Sequence, residues 1–340
     1  MKIVILAALL VLSSATIRSP LGFLITKTVK ATNSDKLFVG YFQSWSEKWS
    51  STGLDTGLAN LPSYINAVII SFMRPDCTYQ GKLSLGGTGL DFSSDGSVVK
   101  ASIDALKAKN PNTKVLVAVG GATYTNFGST NVQAIARFVQ DFGLDGVDID
   151  FEPSNPGCTA SGGQVSCQSD QQYINVVNSL RAALPRPYIL TTAGWSIGAY
   201  GQGAFANSQP QGAYTGVAVN MLKTAGSQLD WINIMSYDAS DALDPKEAYN
   251  AYKSLYSGRL ASGVEVPPEA WGGHVYTVGK VQDLANFINS NNGGGMMLWS
   301  LHKVPNGGVS DDNPDALRLA QTVCNSLGLG NCDQKLFPWQ

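Results

Sequence analysis

The stretch Phe142-Gly143-Leu144-Asp145-Gly146-Val147-Asp148-Ile149-Asp150-Phe151-Glu152 sets four acidic residues within eight positions of a run that is otherwise apolar and β-favouring. Successive side chains of a strand point to opposite faces, so Asp148, Asp150 and Glu152 share one face and Val147, Ile149 and Phe151 the other. On an edge strand such a row would be a solvated polar face and nothing more. Here the opposite face is wholly apolar, and Gly143 and Gly146 admit a neighbouring backbone, so the stretch reads as a strand enclosed on both sides. Carboxyl groups two residues apart on one face stand roughly 6 to 7 Å from each other. In a low-dielectric interior, desolvation and like charge both raise their pKa values, which keeps at least one of them protonated near neutrality. A protonated carboxyl at a strand terminus is a general acid, so the row reads as catalytic.

Seven comparable runs surround it. Lys36–Phe42, Asn66–Phe72, Lys114–Gly120, Tyr188–Ala193, Leu229–Tyr237, Gly263–Val266 and Gly295–Trp299 are short, apolar and rich in β-branched residues. Continuous rather than alternating hydrophobicity marks strands of a parallel sheet covered on both faces. Between them apolar residues recur at helical spacing: Val99, Ile103 and Leu106; Val132, Ile135, Val139 and Phe142; Val281, Leu284 and Ile288. Ser169–Leu184, Gly212–Thr224, Pro245–Leu255 and Pro314–Leu327 are further helix candidates, two of them opening on Asp-Pro or Asn-Pro. Strand then helix, eight times at intervals of about 30 to 45 residues, predicts an α/β fold of the (β/α)8 TIM barrel type in one domain, ahead of a doubly wound open sheet. Catalytic groups of such a barrel come from the C-terminal strand ends, which puts Glu152 at the mouth and Asp148 and Asp150 deeper inside.

At 340 residues, 44% hydrophobic and only 14% charged, the chain has the material for one large core. A net charge of −2 without any basic run argues against a nucleic-acid partner and suits a neutral ligand. Met1-Lys2, the apolar run Ile3–Leu12 and Ser13-Ser14-Ala15 read as a secretory signal peptide over residues 1–15, too short for the roughly 20 residues that span a bilayer. Residues 16–35 show no pattern and are taken as a leader or pro-segment, with the barrel over 36–340; the chain is expected to be secreted and monomeric, with no membrane partner. Cys158 and Cys167 bracket one short loop and Cys324 and Cys332 another, a local pairing that leaves Cys77 over, although five cysteines admit others. With His274 and His302 the sole histidines and no Cys-x-x-Cys, zinc-hydrolase and Ser-His-Asp chemistry are poorly supported, and no metal or cofactor is expected.

Asp145-Gly-Val-Asp148-Ile-Asp150-Phe-Glu152 resembles the DGxDxDxE signature of glycoside hydrolase family 18, the chitinases and their relatives, at every fixed position. The resemblance extends from about Lys36 to Val304. It implies catalytic roles for Glu152, Asp150, Asp148 and Tyr237. Ala118-Val-Gly120-Gly121 is similar to the family's SxGG with the serine replaced; that serine bonds the inner aspartate, and Ala118 has no hydroxyl to offer. Asn233-Ile-Met235-Ser-Tyr237-Asp238 resembles QxMxYD, with Asn for Gln. Tyr41, Phe72 and Trp299 match aromatic positions of the sugar pocket, and Gly120, Gly121, Asn233, Met235 and Asp238 join them as substrate-binding candidates. Trp45, Trp195 and Trp271 follow strands and are candidates for outer subsites. The family's usual polar partners are missing from Thr191–Trp195 and Val266–Trp271, and no room exists for an extra α+β domain, so a shallow groove is expected.

The resemblance implies an endo-acting chitinase cutting chitin or N-acetylglucosamine oligomers by substrate-assisted retaining hydrolysis, an exception to the usual two-carboxylate scheme. An endo-β-N-acetylglucosaminidase acting on N-glycans shares the acidic motif. A non-catalytic chitin-binding lectin on the same barrel is the alternative of another class.

Overall fold

The computed structural model describes residues 35–270 and 275–340. The expected signal peptide, the leader up to residue 34, Trp271 and His274 lie outside the described residues. The chain alternates strand and helix throughout. β1 (Leu37–Gln43) is followed by the one-turn α1 (Gly57–Asn60), β2 (Ala67–Met73) by α2 (Gly96–Lys109), and β3 (Lys114–Gly120) by α3 (Val132–Phe142). β4 (Gly146–Asp150) leads into an antiparallel hairpin, β5 (Cys158–Ser161) and β6 (Gln164–Cys167), ahead of α4 (Asp170–Ala183). Then come β7 (Ile189–Trp195) with α5 (Val219–Ala225), and β8 (Trp231–Met235) with α6 (Pro245–Leu255). β9 (Arg259–Glu265) with α7 (Val278–Ser290), and β10 (Gly295–Trp299) with α8 (Ala316–Leu327), complete the series. All strands but the hairpin pair in parallel, in the order β1-β2-β3-β4-β7-β8-β9-β10, and β10 pairs back onto β1. The result is the closed (β/α)8 barrel that the patterning implies.

Enclosure of β4 follows from both of its faces. Val147, Ile149 and Phe151 point outward and are fully buried, and Phe151 stacks on Tyr173 of α4 at 4.2 Å between ring centroids. α3 buries Ile135, Val139 and Phe142 along one side. The Asn131 side chain accepts from the Ala134 N–H at its start, and Gly143, at φ 65°, ends it in the left-handed region. Gly143 is therefore a helix stop and not a site of backbone approach. Gly146 does fill that second role, since a Cβ there would fall 1.8 Å from the Ile189 carbonyl oxygen.

Several boundaries differ from expectation for local reasons. β9 begins at Arg259, ahead of Gly263, because Arg259 and Ser262 interrupt the apolar run that marks the strand. α5 starts at Val219, the Gly212–Ala218 segment forming turns instead. α6 does open on Pro245, capped by Asp244; α8 is capped by Asp315, so Pro314 precedes the helix. Disulfides join Cys158 to Cys167 across the hairpin and Cys324 to Cys332 beyond α8, and Cys77 is a buried free thiol.

Because Gly146 meets backbone and not a flexible side chain, Gly146→Ala is expected to destabilise the protein by about 1–3 kcal/mol or more. Thermal unfolding followed by circular dichroism checks it. A variant melting with the wild type would show that β4 and β7 are not packed this closely.

Candidate active site

The barrel interior at β4 is polar because of three side chains. Asp148 lies in register between Ala118 of β3 and Thr191 of β7, and Asp150 between Gly120 and Ala193. Both aspartates are nearly inaccessible, at 0% and 3% exposure. Asp148 Oδ2 accepts from the Tyr41 hydroxyl at 2.7 Å, and its Oδ1 accepts from the Thr191 hydroxyl at 2.5 Å and the Asn233 amide at 3.1 Å. Trp231 donates its indole N–H to Asn233 Oδ1 at 3.0 Å, which turns the amide nitrogen toward Asp148. Asp150 differs: its Oδ1 is buried without a hydrogen-bond partner. Glu152 lies two residues beyond the end of β4, where the strand hydrogen bonds have ceased.

Burial dominates the electrostatics. It raises Asp148 to about 6, against the opposing donors Thr191, Tyr41 and Asn233. Asp150 is pushed well above the usual carboxylate range by desolvation, then by Glu152 and Asp148. Glu152 is raised to about 7 by desolvation and by Asp238, against a bond from the Ala122 backbone N–H. Desolvation likewise holds the Tyr41 and Tyr237 hydroxyls well above their ordinary value, with Asp148 adding to the first and Glu265 to the second. These groups form a chain of carboxyls of which some keep their protons at neutral pH.

Above the row lies a cavity of about 310 Å³ bounded by Tyr41, Phe72, Asp150, Glu152, Trp195, Met235, Tyr237, Asp238 and Trp299. Trp299 meets Tyr41 edge-on at 5.7 Å and Phe72 at 5.5 Å, and Trp45 stacks on Phe72 at 6.0 Å. A second chamber of about 390 Å³ shares Ala122, Glu152, Trp195 and Asp238 with the first and adds Ile197, Pro210 and Tyr214. Glu152 stands where the two meet. Trp195 lies parallel to Tyr214 at 3.6 Å, and the Tyr214 hydroxyl donates to the Pro153 carbonyl at 2.6 Å.

Of the twelve catalytic and substrate-binding candidates eight thus converge on one cavity and four do not reach it; of the outer-subsite candidates Trp195 borders it and Trp45 does not. Asp148 and Asn233 sit beneath it. Gly120 and Gly121, with φ of 113° and 80°, line no part of it and instead let the chain pass over the end of β4, where the Gly121 N–H donates to the Asp150 carbonyl at 2.9 Å. Thr191, Tyr214, Glu265 and Glu269 were not anticipated. Thr191 alternates with Ala193 and Trp195 on one face of a strand, a signal that a hydroxyl points inward; Glu265 is a lone acid in the apolar run Gly263–Val266 and pairs with Lys303. Burial pushes Glu265 to about 7 and Glu269 to about 8. Glu269 accepts from the Asp238 backbone N–H at 2.6 Å, holding the loop after β8 against the one after β9.

Residues 37–266 match the family model for glycosyl hydrolases family 18. Chitinase A1 of Niallia circulans is 28% identical over 180 residues, which are 48% of this chain and 23% of that relative. Endochitinase 1 of Metarhizium robertsii is 26% identical over 271 residues, 72% of this chain and 59% of that relative. The chain therefore spans less than two thirds of either. A solved family 18 chitinase from Pseudoalteromonas aurantia superposes with a TM-score of 0.57 at 22% identity, over 78% of this chain and 94% of that one, a likeness of fold. The family match covers most of the barrel, including every member of the carboxyl row, and the chain belongs to glycosyl hydrolases family 18.

Proposed function

We propose that the chain is a secreted chitinase that hydrolyses internal β-1,4 bonds of N-acetylglucosamine polymers with retention of configuration. The observation that carries the reading is the buried row Asp148, Asp150 and Glu152, whose last member is raised to about 7 at the junction of two sugar-sized chambers. An acid poised near neutral pH transfers protons well in both directions. In the first step the Glu152 proton passes to the glycosidic oxygen as the C1–O bond breaks. The acetamido carbonyl oxygen of the same sugar bonds to C1, giving an oxazolinium ion and the free leaving sugar. Asp150, with an oxygen unclaimed by the protein, accepts from the acetamido N–H, and the Tyr237 hydroxyl donates to the acetamido oxygen. Water then attacks C1, its proton returns to Glu152, and the C1–acetamido bond breaks to give the β-anomer.

Trp299, with Tyr41 and Phe72 around it, gives the apolar face of the reacting sugar a flat partner. Space on both sides of Glu152 supports attack within a chain and not only at its end. The relatives named chitinase support hydrolysis of such polymers. Secretion is supported by the 1–15 pattern and by two disulfides, which persist in oxidising compartments. A sugar-binding protein on this barrel would have no use for an acid that exchanges its proton near neutral pH.

Glu152→Gln is expected to lower turnover of N-acetylglucosamine hexamer by more than about a thousandfold while oligomer affinity changes little. Nuclear magnetic resonance of the first-formed product is expected to show the β-anomer. Near-normal turnover, or an α-anomer formed first, would contradict the assignment. The pH profile of kcat/KM follows from the signs above. Glu152 must carry its proton, so activity is lost as pH rises through about 7. Asp148 must be ionised, so activity is also lost as pH falls through about 6. A bell with its maximum between those limbs is expected, and a profile flat from pH 5 to 8 would rule out this acid–base set.

A further inference from the structure

We propose that Thr191 is a positioning residue for this reaction: its hydroxyl holds Asp148 as the anion of the carboxyl row, so that the row keeps its proton on Asp150, the group that meets the substrate. The inference rests on the function proposed above and concerns how the same site is set. Asp148 has a neighbour in register on each side. From β3 comes Ala118, whose methyl group offers no hydrogen bond, and from β7 comes Thr191, 2.5 Å from Oδ1. The Asn233 amide shares that oxygen at 3.1 Å and the Tyr41 hydroxyl takes the other at 2.7 Å.

Three groups that donate to a carboxylate surround Asp148; the Asn233 amide nitrogen can only donate, and a protonated Asp148 would have to turn one of the two hydroxyls from donor to acceptor, so the arrangement favours the anion. Among the described residues no lysine or arginine forms an ion pair with it. The titratable groups that face it are Asp150 on its own strand, Tyr41 on β1 and Tyr173 on α4. Both tyrosines are held protonated by burial. Asp150, by contrast, has an unpartnered oxygen. When two buried carboxyls hold one proton between them, it resides on the one whose anion is less well solvated.

Thr191 is the informative donor. Tyr41 borders the cavity and Asn233 also takes a bond from Trp231, whereas Thr191 borders no part of the cavity and reaches the chemistry only through Asp148. Its neighbour Thr192 supplies an internal control. That hydroxyl faces outward, 2.5 Å from the Tyr173 hydroxyl and 2.6 Å from the Ile149 carbonyl, and touches no carboxyl.

The test measures hydrolysis of N-acetylglucosamine hexamer across pH for Thr191→Val, Thr191→Ser and Thr192→Val. Thr191→Val keeps the shape and removes the donor. Its kcat is expected to fall about tenfold with KM within about twofold, and the acid limb of kcat/KM to move about one unit toward higher pH while the alkaline limb set by Glu152 stays. Thr191→Ser, which retains the hydroxyl, is expected to keep the wild-type profile. Thr192→Val is expected to lower the melting temperature and leave both limbs in place. If Thr191→Val fails to fold, Thr191→Cys, close in size and a weak donor, gives the same reading. An unmoved acid limb in a folded Thr191 variant lacking the hydroxyl overturns the inference while leaving the hydrolase intact. Absence of hydrolysis by the wild type removes the proposed reaction and this inference together.

Discussion

Desolvation of three carboxyl groups on one strand, with no cation among the described residues to neutralise them, is the constraint around which the barrel is arranged. A buried ionised carboxyl is costly unless it is hydrogen-bonded, so each member of the row must either find donors or keep its proton. Asp148 takes the first course, with Tyr41, Thr191 and Asn233 around it. Glu152 and Asp150 take the second. The difference between neighbours two residues apart is one of partners, and it converts three chemically similar groups into an anion, a hydrogen-bond partner for substrate and a proton donor.

The barrel makes that division possible because each partner comes from a different strand. β1, β7 and β8 are separate stretches of sequence, yet the barrel brings Tyr41, Thr191 and Asn233 onto the one Asp148 carboxyl. Outward packing secures the other face: Phe151 against Tyr173 fixes the end of β4, and Gly120 and Gly121 let the chain crossing above it approach the Asp150 backbone. The hairpin that follows Glu152 is closed by the Cys158–Cys167 disulfide, and its Val165 lies against Gly216 in the loop that carries Tyr214. The wall of the second chamber thus packs against a hairpin that the disulfide closes just after the acid.

The strands were legible because a parallel barrel strand is buried on both faces and reads as one apolar run. Elements that depart from that rule escaped. α1 is one turn long, too short for any periodicity; β5 is largely exposed and built from small residues, and β6 buries only Val165 and Cys167; β9 opens on Arg259. The carboxyl row was legible because strand alternation is a local property. The partner of Asp148 was not, since Thr191 meets it only through the register between β4 and β7, which no short stretch encodes. The same holds for Glu265, whose ion pair with Lys303 joins two strand ends, and for Tyr214, which reaches Trp195 from a loop read as the start of a helix.

The account depends on Glu152 taking up its proton near neutral pH, well above the ordinary carboxylate range. Carbon-13 nuclear magnetic resonance of protein labelled at glutamate carboxyls, with Glu152→Gln used to identify the resonance, measures that proton without reference to any substrate. A midpoint near 7 is what burial beside Asp238 requires. A midpoint near the ordinary glutamate value of about 4.3 would mean an ionised, solvated side chain and would contradict the acid at the centre of the site.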